Sequence, residues 1–154
     1  MKQLTDAEYR LREGEHVSGP AAPAYTQRVH QISQQFAGRV LTSTRQARDL
    51  LDNHALQIHE EKGVTCVFDP TKAKCRLGGE NSRRPPDLTD CQPGCQNIAR
   101  TDLDIAILRN QAAELEELVN DPLSPGPRRE RERHQIARLT QIIDDHDHTR
   151  PEKV

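Results

Sequence analysis

The stretch TDLDIAILRNQAAELEELVN, residues 101–120, decides most of what the sequence predicts about the fold. Its large apolar residues recur at alternating spacings of three and four, which is typical of a helix with one apolar seam. Thr101 and Asp104 fit a cap at its start. We therefore predict a helix that runs to about Asn120 and carries a seam of Ile105, Leu108, Ala112, Leu115 and Val119.

The segment NDPLSPGP at 120–127 must interrupt this helix, because it holds three prolines and a glycine. A second helix is predicted from about Arg128 to His146, with Ile136, Leu139 and Ile143 continuing the seam. Two helices joined by a short turn pack antiparallel. Residues 101–148 are thus predicted to form an antiparallel two-helix coiled-coil hairpin, with a tail at 149–154. The DDHDH run at 144–148 could bind a cation, but we expect a solvated chain end there.

The first hundred residues give weaker signals. Residues 1–24 are predicted to hold a helix at 4–16, capped by Thr5 and Glu8, and a linker, SGPAAPA, at 18–24. Residues 25–100 are predicted to hold helices at 25–37 and 43–52, a small strand pair within 55–68 and an irregular stretch at 69–90. The apolar face of the helix at 25–37 consists of Val29, Ile32 and Phe36.

Composition limits what the chain can do. Of 154 residues, 33% are hydrophobic and only 3% aromatic, so we expect no large single core and instead a staple, a partner or self-supporting helices. No apolar run is long enough to span a membrane, and the N-terminus has no secretory signal, so we expect a cytoplasmic, reducing location. The net charge of −2 gives the whole molecule no strong attraction to nucleic acid.

The four cysteines of the chain lie at Cys66, Cys75, Cys91 and Cys95. Four thiolates are a typical closed, structural zinc site, and CQPGC at 91–95 can curl into one ligand pair. A zinc ion held in this way would order residues 76–90. Disulfides, free thiols and an iron–sulfur cluster stay open as alternatives. His54 and His59 are nearby, and we expect them to be surface residues rather than ligands.

A basic cluster lies inside the same region. Residues 71–84 contain one acidic residue, Glu80, and five basic ones: Lys72, Lys74, Arg76, Arg83 and Arg84. This cluster could contact phosphates, or it could be an ordinary solvated segment. The arginines at 127–138 are mixed with glutamates, which favours a solvated helix face with ion pairs. Phosphate-binding, dinucleotide-binding, nucleophile-elbow and zinc-protease motifs are absent from the sequence, so we expect no enzymatic activity.

Three segments together resemble a known type of protein. They are GRVLTSTRQARDLLDNHALQ, TCVFDPTKAKC and PDLTDCQPGCQNIARTDLDIAILRNQAAELEELVNDPLSPGPRRERERHQIARL. Over roughly residues 36–146 the chain resembles the C-terminal region of large actinobacterial mobile-element proteins, which are site-specific integrases of the tyrosine recombinase type or related transposon proteins. The chain departs from that family's catalytic pattern, since it has no HxxR element and Tyr9 and Tyr25 match no motif. The resemblance therefore implies a region without the catalytic domain, as a remnant or an accessory protein.

The sequence thus predicts a mainly α protein with short N-terminal helices, a small β element with a four-cysteine zinc knuckle, and a C-terminal helical hairpin. Its expected function is that of a non-catalytic, zinc-binding module in DNA integration or recombination, with DNA or a recombinase as partner. The alternative is a protein-interaction module in which the hairpin self-associates and zinc is purely structural. A third hypothesis is an iron–sulfur transcriptional regulator.

Overall fold

A computed structural model describes residues 2–36, 43–45, 58–69 and 94–151. Most of these residues form helices, and a smaller number form a four-stranded antiparallel sheet. The helices are α1 (Lys2–Arg12), α2 (Ala22–Phe36), α3 (Asp102–Val119) and α4 (Gly126–Thr149). The strands are β1 (Val17–Ser18), β2 (Ile58–Glu61), β3 (Val64–Val67) and β4 (Ile98–Thr101). Most of the helix predicted at 43–52 and nearly all of the irregular stretch at 69–90 lie outside the described residues.

The sheet has the strand order β1-β4-β3-β2, and every neighbouring pair is antiparallel. The predicted strand pair is confirmed as β2 and β3. Its two-residue turn places Lys62 at φ 39° and Gly63 at φ 87°, the positive values that a tight hairpin requires. Gly63 also packs against α3, because a Cβ at this position would lie 2.9 Å from the Leu108 side chain.

Helices α1 and α2 cover one face of the sheet. Val29 and Ile32 are buried as predicted. The small core combines residues from both helices with side chains of β3 and β4, and it consists of Ala7, Ala21, Tyr25, Val29, Val67 and Ala99. Within the described residues, β3 and β4 thus contribute one side chain each to this core, and the helices with Ala21 contribute the rest.

The N-terminal prediction needs two corrections. Helix α1 begins at Lys2 and ends at Arg12, so Thr5 and Glu8 lie inside the helix instead of capping it. It stops early because Gly14, at φ 91°, takes the left-handed conformation that commonly ends helices. The predicted linker is wrong as well: Ser18 pairs with Arg100 in the sheet, and α2 begins at Ala22 with Pro23 in its first turn, where a missing N–H breaks no bond.

The predicted cap of α3 is confirmed. The Thr101 hydroxyl accepts from the Asp104 backbone N–H at 3.2 Å, and the Asp104 carboxylate accepts from the Thr101 N–H at 3.1 Å. The same carboxylate accepts from the Thr65 hydroxyl at 2.7 Å, which ties the helix start to β3. Strand β4, which runs directly into this cap, was not predicted, because a four-residue strand with distant pairing partners leaves little local signal.

Helices α3 and α4, residues 102–149, are called the arm below. The start of α3 lies beside the end of α4, where Arg109 forms an ion pair with Asp147 at 2.8 Å. Helix α4 begins two residues before the predicted start and ends three residues after the predicted end. Among the described helices, none is both long enough and apolar enough to cross a membrane.

Gly19 offers a sharp test of how β1 joins α2. Its φ is 93°, and a Cβ there would lie 2.9 Å from the backbone oxygen of Ile98, which already accepts from the Ala21 N–H at 3.1 Å. We expect Gly19→Ala to lower the free energy of unfolding by about 3 kcal/mol, since left-handed strain and a backbone clash add. Gly14→Ala is the matched control: φ is 91° with nothing within 4 Å, so about 1 kcal/mol is expected. Equal losses in urea unfolding would contradict the close approach.

Candidate functional site

The base of the arm is joined to the sheet by a buried histidine. The His146 side chain on α4 is fully buried within the described structure. Its Nε2 lies 2.8 Å from Asp102 Oδ1, at the start of α3, and its Nδ1 lies 2.6 Å from Ser18 Oγ, in β1. A neutral imidazole with the proton on Nε2 satisfies both contacts, donating to Asp102 and accepting from Ser18. Three distant segments of the chain therefore meet at one ring.

Further polar groups surround this junction. Asp102 also accepts from the backbone N–H of His16 at 3.0 Å and pairs with Arg150. The His16 ring lies 4.6 Å from the His146 ring, centroid to centroid, and its Nε2 is 2.9 Å from Thr149 Oγ1. The junction, defined as His16, Ser18, Asp102, His146, Thr149 and Arg150, thus fixes both helices of the arm to β1.

The electrostatics of the junction favour a charged aspartate and a neutral His16. Burial raises the pKa of Asp102, but hydrogen bonds from His146, the His16 backbone and Arg150 outweigh it, so the pKa lies below its ordinary value. Burial of the ring, followed by the nearby His146 and the positive charge of Arg150, lowers the pKa of His16. Protonation of either group therefore opposes folding.

A pH dependence follows from His16. Because its folded pKa lies below the ordinary value of 6.5, the unfolded chain binds the proton more readily, and stability falls as the pH drops from about 7 towards 5. We expect His16→Gln to make the melting temperature less sensitive to pH in this range. The control is His134→Gln, at an exposed position on α4. An unchanged pH slope in His16→Gln would contradict the assignment.

Serine, histidine and aspartate also form the catalytic triad of many hydrolases. Here the His146 residue is 1% exposed and Ser18 is 8% exposed, so a substrate does not reach the Ser18 hydroxyl in the described structure. Both hydroxyl and ring are used to join β1 to α4. The arrangement is that of a buried polar junction. It corrects the expectation of a solvated DDHDH run for His146, whereas the other four residues of the run are exposed as predicted.

A second polar cluster ties α1 to the far strand of the sheet. Arg10 donates to Glu15 at 3.1 Å and lies 3.6 Å from Glu60 on β2. Burial raises the pKa of Glu60 above its usual value, because desolvation outweighs the attraction of Arg10. Burial, with the charges of Glu60 and Glu15, raises the pKa of Tyr25 to about 12. These groups hold the helices on the sheet, and Glu15 also accepts from the Leu103 backbone N–H at the start of α3 at 3.4 Å.

Two of the four predicted zinc ligands lie in the described residues. Cys66, in β3, is paired in register with Ile98, and Cys95 lies three residues before Ile98, whose N–H donates to the Cys95 oxygen at 3.3 Å. Both cysteines are buried. Cys75 and Cys91 lie outside the described residues, within which no group of three or more potential metal ligands is found.

Described residues on the two sides of segment 70–93 contact each other next to the sheet. Asn97 donates from its side chain to the Asp69 oxygen at 2.9 Å, and its own backbone oxygen accepts from the Val67 N–H at 2.8 Å. Cys66 and Cys95 lie in the described chain on the two sides of segment 70–93, and Cys75 and Cys91 belong to that segment, outside the described residues. The predicted phosphate contacts, Lys72, Lys74, Arg76, Arg83 and Arg84, belong to the same segment and lie outside the described residues.

His59 differs from the expected surface histidine. It lies across from Cys66 in the β2–β3 pairing and is half-buried. Its Nε2 is buried without a hydrogen-bond partner among the described residues. Burial lowers the pKa of its ring, which favours the neutral imidazole that metals bind.

The outer half of the arm is less buried than its base. Ile105 and Leu108 are buried near the sheet, whereas Leu115, Val119, Ile136 and Leu139 are only half-buried. Leu118 is 41% exposed, and Leu123, at the tip, is 90% exposed. The described structure therefore leaves part of the seam uncovered.

The arginines at 127–138 are only partly ion-paired. Arg128 pairs with Glu132 at 2.9 Å, as the sequence predicts. Arg131, Arg133 and Arg138 are exposed and form no ion pair within the described part of the chain. The outer half of α4 is thus a basic surface that carries three arginines without an ion-pair partner among the described residues.

Sequence reasoning missed the junction. Ser18 was assigned to a linker and His146 to a solvated end, and Asp102 was counted only as part of a helix start. A signal was present in the apolar spacing, since His146 follows Ile143 by three residues and so continues the seam. Comparison of the chain with protein-family models, curated protein sequences and solved structures finds no match.

Proposed function

We propose that this protein is a non-catalytic, zinc-held DNA-binding module that acts in the integration or recombination of mobile DNA. The observation that carries the proposal is the hydrogen bond from Asn97 to Asp69, which brings together the described residues on the two sides of segment 70–93, near Cys66 and Cys95 in the sequence. All five basic residues of the predicted DNA contact lie between these cysteines. The sequence resemblance to mobile-element integrases supports the choice of DNA as the partner.

Zinc has a defined role in this proposal. In this proposal Cys66 supplies a thiolate from β3, Cys95 supplies one from just before β4, and Cys75 and Cys91 supply the other two from segment 70–93. An all-thiolate set forms a closed site that organises structure and leaves no open position for a substrate. The metal then holds Lys72, Lys74, Arg76, Arg83 and Arg84 as one cationic surface beside the sheet.

Salt-dependent binding to DNA tests the proposal. Anisotropy of a labelled random-sequence duplex is measured between about 50 and 300 mM salt, where binding through phosphates weakens steeply as salt rises. We expect Arg83→Glu/Arg84→Glu to weaken binding by about 10-fold or more and to reduce the salt slope by about two, one for each lost phosphate contact.

The matched control carries the same charge change at another place. Arg45→Glu/Lys62→Glu reverses two exposed basic residues outside the arm and should bind DNA with nearly the salt slope of the wild type. Absence of binding at about 50 mM salt would contradict the DNA proposal. An equal loss of DNA affinity in both double variants would show a general effect of charge, and it would argue against contact between segment 70–93 and DNA.

A protein-interaction module is the second candidate. It is favoured by the uncovered outer seam of the arm, where Leu118 is 41% exposed and Leu115 only half-buried. In this case the arm is an antiparallel coiled-coil hairpin that docks a helical partner, and zinc has a purely structural role at the four cysteines. Binding that persists at high salt distinguishes this candidate, because apolar contacts are not screened.

A further inference from the structure

The outer half of the arm separates its charges by helix. On α3, residues 110–119 carry Glu114, Glu116 and Glu117 and no basic residue, and Asp121 follows just after the helix. On α4, residues 128–138 carry five arginines against two glutamates. One helix of the arm is therefore acidic and its neighbour basic over the same portion of its length.

These charges do not neutralise each other inside one arm. Glu114, Glu116 and Glu117 are exposed and form no ion pair within residues 2–36, 43–45, 58–69 and 94–151. The same holds for Arg131, Arg133 and Arg138. The described ion pair between the two helices, Arg109–Asp147, lies at the other end of the arm.

We propose that two copies of this chain associate through the outer halves of their arms, with the acidic α3 of each copy against the basic α4 of the other. A two-fold axis makes such an interface self-complementary, because the contact between an acidic α3 and a basic α4 then occurs twice, once on each side of the axis. The half-buried seam residues Leu115, Val119, Ile136 and Leu139, with the exposed Leu118, then become the core of a four-helix bundle. This association depends on neither zinc nor DNA.

Charge-reversal variants of the full chain test the association by sedimentation velocity. One variant reverses α3 (Glu114→Lys/Glu116→Lys/Glu117→Lys), and the other reverses α4 (Arg131→Glu/Arg133→Glu/Arg138→Glu). The wild type is expected to dimerise, and each variant alone is expected to be monomeric, because like charges then face each other. Their equimolar mixture is expected to form a heterodimer, and the chain carrying all six changes to recover the homodimer.

The control excludes a general attraction between oppositely charged chains. Asp6→Lys/Glu13→Lys/Glu61→Lys reverses three exposed acidic residues near the sheet and has the same net charge as the α3 variant. It should dimerise by itself and form no heterodimer with the α4 variant. Recovery in the mixture also shows that both variants are folded.

Three results would overturn the proposal. One is a wild type that stays monomeric at about 100 μM, a concentration at which a micromolar dimer is almost fully formed. Another is a dimer that both reversals leave intact. The third is a pair of monomeric variants whose mixture does not associate. DNA binding is measured separately, so the absence of a dimer leaves the proposed function standing. If the wild type is monomeric and the α4 variant loses DNA binding, the exposed arginines of α4 bind nucleic acid instead of a second copy.

Discussion

His146→Ala is expected to lower the free energy of unfolding by about 3 kcal/mol, because it breaks a buried polar pair and leaves a cavity. The ring contacts Asp102 at 2.8 Å and Ser18 at 2.6 Å, and the residue is 1% exposed. Its loss leaves the Ser18 hydroxyl buried without this partner and weakens the connection of α4 to β1. Urea unfolding followed by circular dichroism measures the change.

His148→Ala is the matched control for this variant. His148 lies on the same helix, two residues further on, and its side chain is exposed, with a hydrogen bond to the Asp144 oxygen of its own helix. Its replacement is expected to cost less than about 0.5 kcal/mol. Similar values for the two variants would show that His146 does not join the arm to the sheet.

Removal of zinc has the largest effect that the proposed function predicts. Protein purified in reducing buffer is expected to contain about one zinc per chain, as elemental analysis would measure. Binding of structural zinc contributes roughly 10–16 kcal/mol in small domains, so chelation is expected to unfold at least the region around β3 and β4. Circular dichroism during a chelator titration follows the loss.

Single substitutions identify the ligands. Cys91→Ser is expected to lower the zinc content, since it removes one of four thiolates. His59→Gln is the informative comparison, because its ring nitrogen is buried beside Cys66 in the sheet. Retained zinc in His59→Gln supports the all-cysteine site, whereas lost zinc makes His59 a ligand. Metal-free protein with an unchanged spectrum would refute the zinc proposal altogether.

Local signals in the sequence predicted the elements that depend on local chemistry. The cap formed by Thr101 and Asp104 and the β2–β3 strand pair were predicted because their determinants lie within a few residues of one another. The end of α1 was not predicted, because the residues after Arg12 are compatible with a helix and the left-handed conformation of Gly14 ends it instead. Strands β1 and β4 also escaped prediction, because each is short and depends on pairing with distant residues.

The polar junction could not be predicted for the same reason. Ser18, Asp102 and His146 are separated by 84 and 44 positions along the chain, and nothing local connects them. From the sequence alone, a histidine between aspartates is predicted to be exposed to solvent, because its position in the fold is unknown. Only the continuation of the seam from Ile143 to His146 indicated that this side chain faces inward.

The way the arm is attached has a mechanical consequence. Helix α4 has 24 residues and is therefore about 36 Å long, and the junction lies at one end of it. A rotation of about 10° at that end would carry the other end through about 6 Å, more than one helical turn. The hydrogen bonds around His146, together with the buried side chains of Ile105 and Leu108, therefore limit how far Leu123 at the opposite end of the arm can be displaced.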